Sequence, residues 1–426
     1  MELKNLKGTT DFSPSAQIVR NNIIQTLKNN FEKYGYAPLE TPILNYFDLL
    51  AYKYHEGAEI LNEIYTTYDQ AKRKIGLRYD LTVPFCKYIG LNQDLVMPFR
   101  RYEIGRVFRD GPVKLGRARE FYQCDIDVVG IDGRYIEIEQ MQMVKSVFDQ
   151  LNIDIEIVWN NRKLMTGLLL YLNIDEQKID MVIGLLDRLS KISNQELKSE
   201  FEKLEINNQT VDKILDLFSK TLQEYTTLFE NTQIEVLNQG IIECNEITQL
   251  ISQLGLKDCT TFSPTLARGL GIYTGTVFEF FDKQKRISSS LGGGGRYNKI
   301  ITDFMDNGQE YPACGLCFGL EPIYAILSQK EDTNQLIDVF IVPMGTEVEC
   351  MQLANTLRKN NINTTIEMRN KKVKKSFEYA NKVNIPYVLI VGSNELESGL
   401  FALKDMKSGN QQNFTLQEII TLVKTK

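Results

Sequence analysis

No proline occurs from Val113 to Ser263 and no glycine between Gly184 and Gly240, so the middle of this chain lacks the residues that most readily interrupt a helix. Within it Val182, Leu185, Leu186 and Leu189, and then Val211, Ile214, Leu215 and Phe218, recur at i, i+3, i+4, i+7. A helical module over 169–255 is therefore expected, inserted between two strand-rich stretches. Upstream, Tyr102 to Arg109 and Phe121 to Val129 read as antiparallel strands joined by a basic, glycine-containing loop. In the second of them Gln123, Asp125 and Asp127 share one face, because side chains alternate along a strand. Downstream the strand pattern returns at Tyr273 to Phe281, followed by four glycines (Gly292 to Gly295) and an apolar run from Ala313 into a helix near Ile323 to Leu327.

At the start, Ser13-Pro14 reads as a helix cap followed by a first-turn proline, with Val19, Ile23, Leu27, Phe31 and Tyr34 at helical spacing. Pro38 and Pro42 then permit an edge strand but not a central one. After the polar stretch 328–335, read as a linker, Ile337 to Val342, Glu347 to Lys359, Thr364 to Glu367 and Tyr387 to Val391 alternate as strand and helix, predicting a small α/β domain over 336–426. The class is α+β.

Composition narrows the chemistry. His55 is the only histidine, which excludes multi-histidine metal centres and leaves a single imidazole for any histidine-based triad. Seven scattered cysteines do not form a disulfide framework, and Cys314 and Cys317, a CxxC amid apolar residues, read as buried core thiols. No metal site is expected. A net charge of −6 argues against indiscriminate nucleic-acid binding yet allows a local basic patch. No membrane span or secretory signal is read, which points to the cytoplasm.

Leu266-Ala-Arg-Gly-Leu-Gly-Ile-Tyr-Thr-Gly-Thr-Val-Phe-Glu279 and Gly292-Gly-Gly-Gly-Arg-Tyr297 resemble the two histidine-binding motifs of the histidyl-tRNA synthetases, class II aminoacyl-tRNA synthetases. Lys7-Gly-Thr-Thr-Asp-Phe12 and the segment ending in Thr41-Pro42 resemble the amino-terminal signature and motif 1, which implies a homodimer through that region. Leu77-Arg-Tyr-Asp-Leu-Thr-Val-Pro84 resembles the segment that holds the substrate's α-amino group, and Phe108-Arg109 with Gly116-Arg-Ala-Arg-Glu-Phe-Tyr-Gln-Cys-Asp125 resembles motif 2.

The resemblance implies a class II antiparallel sheet flanked by helices (1–168 and 256–327), the helical insertion, and a C-terminal anticodon-binding domain. It implies that histidine is activated with ATP and passed to tRNA(His), with Mg²⁺ accompanying ATP. Arg109 and Arg268 are the implied catalytic residues, closing on the α-phosphate from two sides. Histidine would be held by Asp80, Thr82, Gln123, Asp127, Tyr273 and Tyr297, and ATP by Arg109, Arg117, Arg119, Gly293, Gly294 and Gly295. Arg369, Lys371, Lys372, Lys374 and Lys375 would meet tRNA phosphates.

There are departures. The family's motif 3 ends in Gly-Leu-Glu-Arg, whereas this chain has Gly319-Leu320-Glu321-Pro322, and Gly271-Ile272 replace the usual Asp-Tyr before Tyr273. Asp110 follows Arg109, with Gly111 where an acid is common. They keep open an alternative, a catalytically impaired paralogue that binds histidine, such as the regulatory subunit of ATP phosphoribosyltransferase.

Overall fold

The computed structural model describes the whole chain except residues 1, 53–58, 114–116, 190–191, 269–271, 330–335, 370 and 426. His55, Gly116, Gly271 and most of the expected linker lie outside the described residues. Contacts divide the chain into two units, one of Met1–Asp11 with Arg20–Gln329 and one of Phe12–Val19 with Lys330–Lys426.

The first unit is built on an eight-stranded sheet, in the order Ala37–Pro38, Phe99–Phe108, Glu120–Val129, Ala313–Gly319, Gly292–Arg296, Thr276–Asp282, Ile155–Asn161, Thr260–Phe262. The two edge strands pair in parallel and the rest antiparallel. Pro38 sits at the edge, where its missing N–H costs no ladder bond. The helix Pro14–Lys33 buries Ile23, Leu27 and Phe31, the last of these against Tyr102 and Phe318 at ring separations of 5.6 and 5.7 Å. The helix Tyr135–Gln150 covers the sheet through Met141, Val144 and Phe148.

The glycine run is a fully buried central strand. Long-range packing decides this. A Cβ on Gly294 would lie 2.1 Å from the Gly315 carbonyl oxygen and 2.5 Å from Leu316 Cα, and one on Gly292 would lie 2.2 Å from the Cys317 carbonyl oxygen. Gly294→Ala is therefore expected to cost about 1–3 kcal/mol through overpacking. The sole tryptophan, Trp159, is buried in the same sheet beside Phe262, so its emission during urea unfolding reports the loss. An unchanged midpoint would mean that the strands can part at no cost.

The Gly- and Pro-poor middle forms the expected helices: Arg162–Tyr171, Glu176–Leu186, Asn194–Lys203, Asn208–Leu217, Leu222–Leu228 and Glu235–Gln253. Ser193 and Thr221 close capping boxes with Glu196 and Glu224, and Asn207 caps the Thr210 N–H, so these three helix starts satisfy part of their own donors.

In the second unit the five-stranded sheet runs Thr364–Ile366, Val339–Pro343, Tyr387–Val391, Phe401–Asp405, Gln411–Phe414, the first three parallel and the last two antiparallel. Strand alternation sends Val339 and Ile341 into a core beneath the helix Glu347–Lys359, and Phe340 and Val342 into a second core with Ala380 and Val388.

Candidate active site

Antiparallel register lays side chains across the large sheet in rows, since residues directly opposite share a face. Three rows matter. Gln123 lies between Gly105 and Gly319; Asp125 lies between Glu103 and Cys317, with Gly293 and Glu279 beyond; Asp127 lies between Arg101 and Gly315, with Gly295 and Val277 beyond. The rows form the floor of a cleft of about 330 Å³ lined by Asp80, Thr82, Arg109, Gln123, Asp125, Asp127, Arg268, Tyr273, Gly293, Tyr297 and Cys317 among others.

Both expected catalytic arginines reach this cleft. Arg109, at the end of the strand Phe99–Phe108, donates from Nε to the Tyr79 carbonyl at 2.9 Å and stacks over Phe121 at 5.2 Å. Arg268 lies over Gly293, where a Cβ would come 2.9 Å from its Nη1, and donates to Glu279 Oε1 at 2.5 Å. Burial opposes its charge, but Tyr273 and Glu279 overcome that opposition and raise its pKa. Two fixed cations thus face one cleft from segments far apart in sequence.

All six expected histidine-binding residues line the cleft as well. Asp80 precedes the helix Thr82–Leu91, and its Oδ1 accepts the Val83 N–H at 3.1 Å. Asp127 accepts the Tyr297 hydroxyl on Oδ1 and pairs through Oδ2 with Arg101 Nη2 at 2.6 Å. Burial raises the Asp127 pKa despite Arg101, and it pushes Asp125 up to about 7, a rise that Arg101 opposes and Asp127 reinforces. Tyr273 is raised by burial in the same way, with Arg268 opposing.

Of the expected ATP contacts, Gly293 lines the cleft, while Gly294 and Gly295 are buried within the same strand. Arg119 is occupied elsewhere: Nη2 pairs with Asp110 Oδ1 at 3.0 Å and Nε donates to the Gly111 carbonyl at 3.3 Å. Arg117 is exposed. Neither lines the cleft. Pro322 stands in the first turn of the helix Leu320–Leu327, where a proline is well tolerated, and Glu321 pairs with Arg20 at 2.9 Å.

In the second unit, Lys371, Lys372, Lys374 and Lys375 are exposed around the start of the helix Val373–Lys382. Arg369 pairs with Glu367 at 2.6 Å and stacks on Tyr379 at 4.6 Å.

Residue reasoning passed over three groups on this floor. Arg101 is wholly buried, 4.3 Å above the Phe85 ring, with Asp127, Asp125 and Glu103 around it. Glu103 is further held by Arg78 Nη1 at 2.7 Å and by the Thr41 hydroxyl at 2.9 Å, which ties the Thr41-Pro42 segment to the floor. Cys317 is half-buried at the cleft while Cys314 is buried behind the sheet, donating to Gln140 Oε1 at 3.2 Å. A three-residue spacing on a strand sends the two thiols to opposite faces, so only Cys314 is the core cysteine expected of both.

The family model described as Histidyl-tRNA synthetase matches residues 8–323, and the one described as Anticodon binding domain matches residues 338–426. Histidine--tRNA ligase 1 of Bacillus cereus is 44% identical over 416 residues, covering 96% of this chain and 97% of that protein. Histidyl-tRNA synthetase from Nostoc sp. PCC 7120 has a crystal structure that matches with a TM-score of 0.88 at 28% identity, over 100% of this chain and 99% of that one. An ATP phosphoribosyltransferase regulatory subunit/histidyl-tRNA synthetase from Bacillus halodurans C matches at TM-score 0.75 but 18% identity, over 92% of this chain and 100% of that one, which is a likeness of fold alone. On the first of these matches, nearly full-length and well above the identity at which only fold is shared, the chain belongs to the histidyl-tRNA synthetase family.

Proposed function

We propose that this chain activates histidine with ATP to histidyl-adenylate, releasing pyrophosphate, and transfers the histidyl group to tRNA(His). The observation that carries this reading is the meeting of Arg109 and Arg268 at one cleft beside the row Gln123, Asp125, Asp127. The substrate carboxylate attacks the α-phosphorus, and negative charge grows on the phosphoryl oxygens as the bond to pyrophosphate breaks. The two guanidinium groups stabilise that charge, each offering a planar fork already fixed in place by Tyr79 or Glu279. No general base is needed, because the attacking carboxylate is ionised at neutral pH. Asp80, Thr82 and Gln123 accept the α-ammonium; Asp127, Tyr273 and Tyr297 surround the ring.

Arg119 is held by Asp110, which leaves the exposed Arg117 as the cation we assign to the outer phosphates in place of an arginine at Pro322. Mg²⁺ enters as the counter-ion of ATP. Among the described residues no group of three or more His, Cys, Asp or Glu side chains could hold a metal, so no step is assigned to the ion.

The division of labour follows the expected domains: catalysis in 1–168 and 256–327, the insertion 169–255 on the acceptor arm, a linker at 328–335, and anticodon binding in 336–426. Lys372, Lys374 and Lys375 crowd the start of a helix, where the backbone dipole disfavours cations. A tRNA phosphate there would relieve that repulsion, which supports an RNA contact. A homodimer through the motif 1 region is supported by the exposed Ile43, Leu44, Tyr46 and Tyr68 around the small sheet of Leu44–Tyr46, Lys74–Leu77 and Thr66–Tyr68. A cytoplasmic location accords with the absence, among the described residues, of a helix long and apolar enough to cross a membrane.

Histidine-dependent exchange of labelled pyrophosphate into ATP tests the reading. Exchange strictly dependent on histidine is expected. Histidine binding without exchange would favour the regulatory paralogue instead.

A further inference from the structure

We propose that Asn160 is a positioning residue for Arg268, fixing the backbone from which this guanidinium reaches the cleft. This rests on the histidine-activating reading and deepens it. The row of Asp127 continues through Gly315, Gly295 and Val277 to Asn160, which therefore shares the cleft face of the sheet. The segment 263–275, which carries Arg268 and Tyr273, has no helix or strand of its own among its described residues. Its backbone groups must find partners elsewhere.

At the upstream end Asn160 supplies them. Wholly buried, it donates from Nδ2 to the Pro264 carbonyl and to the Leu266 carbonyl, both at 2.9 Å, and so spends both amide hydrogens on this one turn. The neighbouring Trp159 carbonyl accepts the Ser263 N–H at 2.9 Å, and the Leu266 N–H closes the turn onto the Ser263 carbonyl at 3.1 Å. Arg268 stands two residues beyond this clamp. Ala267, between them, adds a longer contact, its N–H reaching Asp187 Oδ1 at 3.3 Å. The downstream end is anchored separately: the Thr274 N–H donates to the Arg296 carbonyl and the Arg162 N–H to the Gly275 carbonyl, each at 2.8 Å. Tyr273 is thus held from that side without Asn160. The Asn160 Oδ1 is buried with no hydrogen-bond partner among the described residues, so what this amide contributes is its pair of donors.

Steady-state pyrophosphate exchange by the whole chain, by Asn160→Ala, by Arg268→Ala and by the double variant tests this. A misplacement of about 1 Å at a reacting centre costs on the order of 10²-fold, so Asn160→Ala should lower kcat about 10- to 100-fold. The histidine KM, to which the separately anchored Tyr273 contributes, should stay within about threefold of wild type. In the Arg268→Ala background the same substitution should cost less than about threefold, because the group it positions is already gone. Equal fold losses in the two backgrounds would overturn the proposal, as the mark of a general weakening of the fold. Exchange by Asn160→Ala within about twofold of wild type would overturn it too. Far-UV circular dichroism and the Trp159 unfolding transition establish that the variants fold. Asn160→Ser keeps one donor; it should recover part of the lost rate, and it carries the comparison where the alanine variant is unfolded. Unfolding of both would assign Asn160 to the fold alone and end the positioning role. A wild-type chain without exchange would remove the synthetase reading and this inference together, whereas wild-type exchange with equal losses in both backgrounds removes the inference alone.

Discussion

Replacing Arg268 with alanine is expected to lower histidine-dependent pyrophosphate exchange by about 10²- to 10³-fold, the usual consequence of removing one preorganised donor from a developing oxyanion. The loss should fall on kcat. Charge at the α-phosphorus grows chiefly as the bond to pyrophosphate breaks, so a group that meets it contributes more in the transition state than in the bound complex. Arg268→Lys tests the geometry of the fork. Lysine keeps the charge but cannot hold Glu279 and a phosphoryl oxygen in one plane, so it should recover only a small part of the rate. The fold should survive both changes: the partner left behind, Glu279, is only part-buried and can be hydrated. Trp159 emission against urea verifies this. Exchange by the alanine variant within about fivefold of wild type would remove Arg268 from the mechanism.

How much of this site was legible beforehand depends on whether a signal was local. The alternation of Gln123, Asp125 and Asp127 marks a polar strand face from the sequence alone, and the motifs bracket Asp80, Thr82, Arg109, Arg268 and Tyr273, all of which line one cleft. The helical insertion followed from periodicity and the want of glycine and proline. What stayed hidden depends on pairing between distant strands. Arg101 looks like one of two adjacent basic residues at a strand start; only the register opposite Asp127 turns it inward and buries it. Taken by itself the glycine run carries no strand signal, because its reason for being glycine, the close backbone of Gly315 to Cys317, lies about twenty residues further along the chain. Cys317 reached the cleft, and Cys314 did not, because their segment is a strand.

Arg101→Met should destabilise the large sheet by about 3–5 kcal/mol at alkaline pH, the range for breaking a buried ion pair on one side. Methionine fills much of the same volume over Phe85, so packing accounts for little of this; the loss comes from Asp125 and Asp127, left buried without their cation. Glu103 is less affected, because Arg78 still holds it at 2.7 Å. The effect has a definite sign in pH. An acid whose folded pKa stands above its unfolded value weakens the fold as pH rises, from nothing below the ordinary carboxylate range to a full penalty above the folded pKa. For Asp125 that window already runs from its ordinary value to about 7, and removing Arg101, which opposes the rise in both aspartates, extends it upward. The stability gap between wild type and variant therefore widens from about pH 6 to about pH 8.5. Urea midpoints from Trp159 emission at the two pH values measure it. A gap of the same size at both would mean that Arg101 supports the sheet by shape and not by charge, and that the acids on the cleft floor hold themselves in place without it.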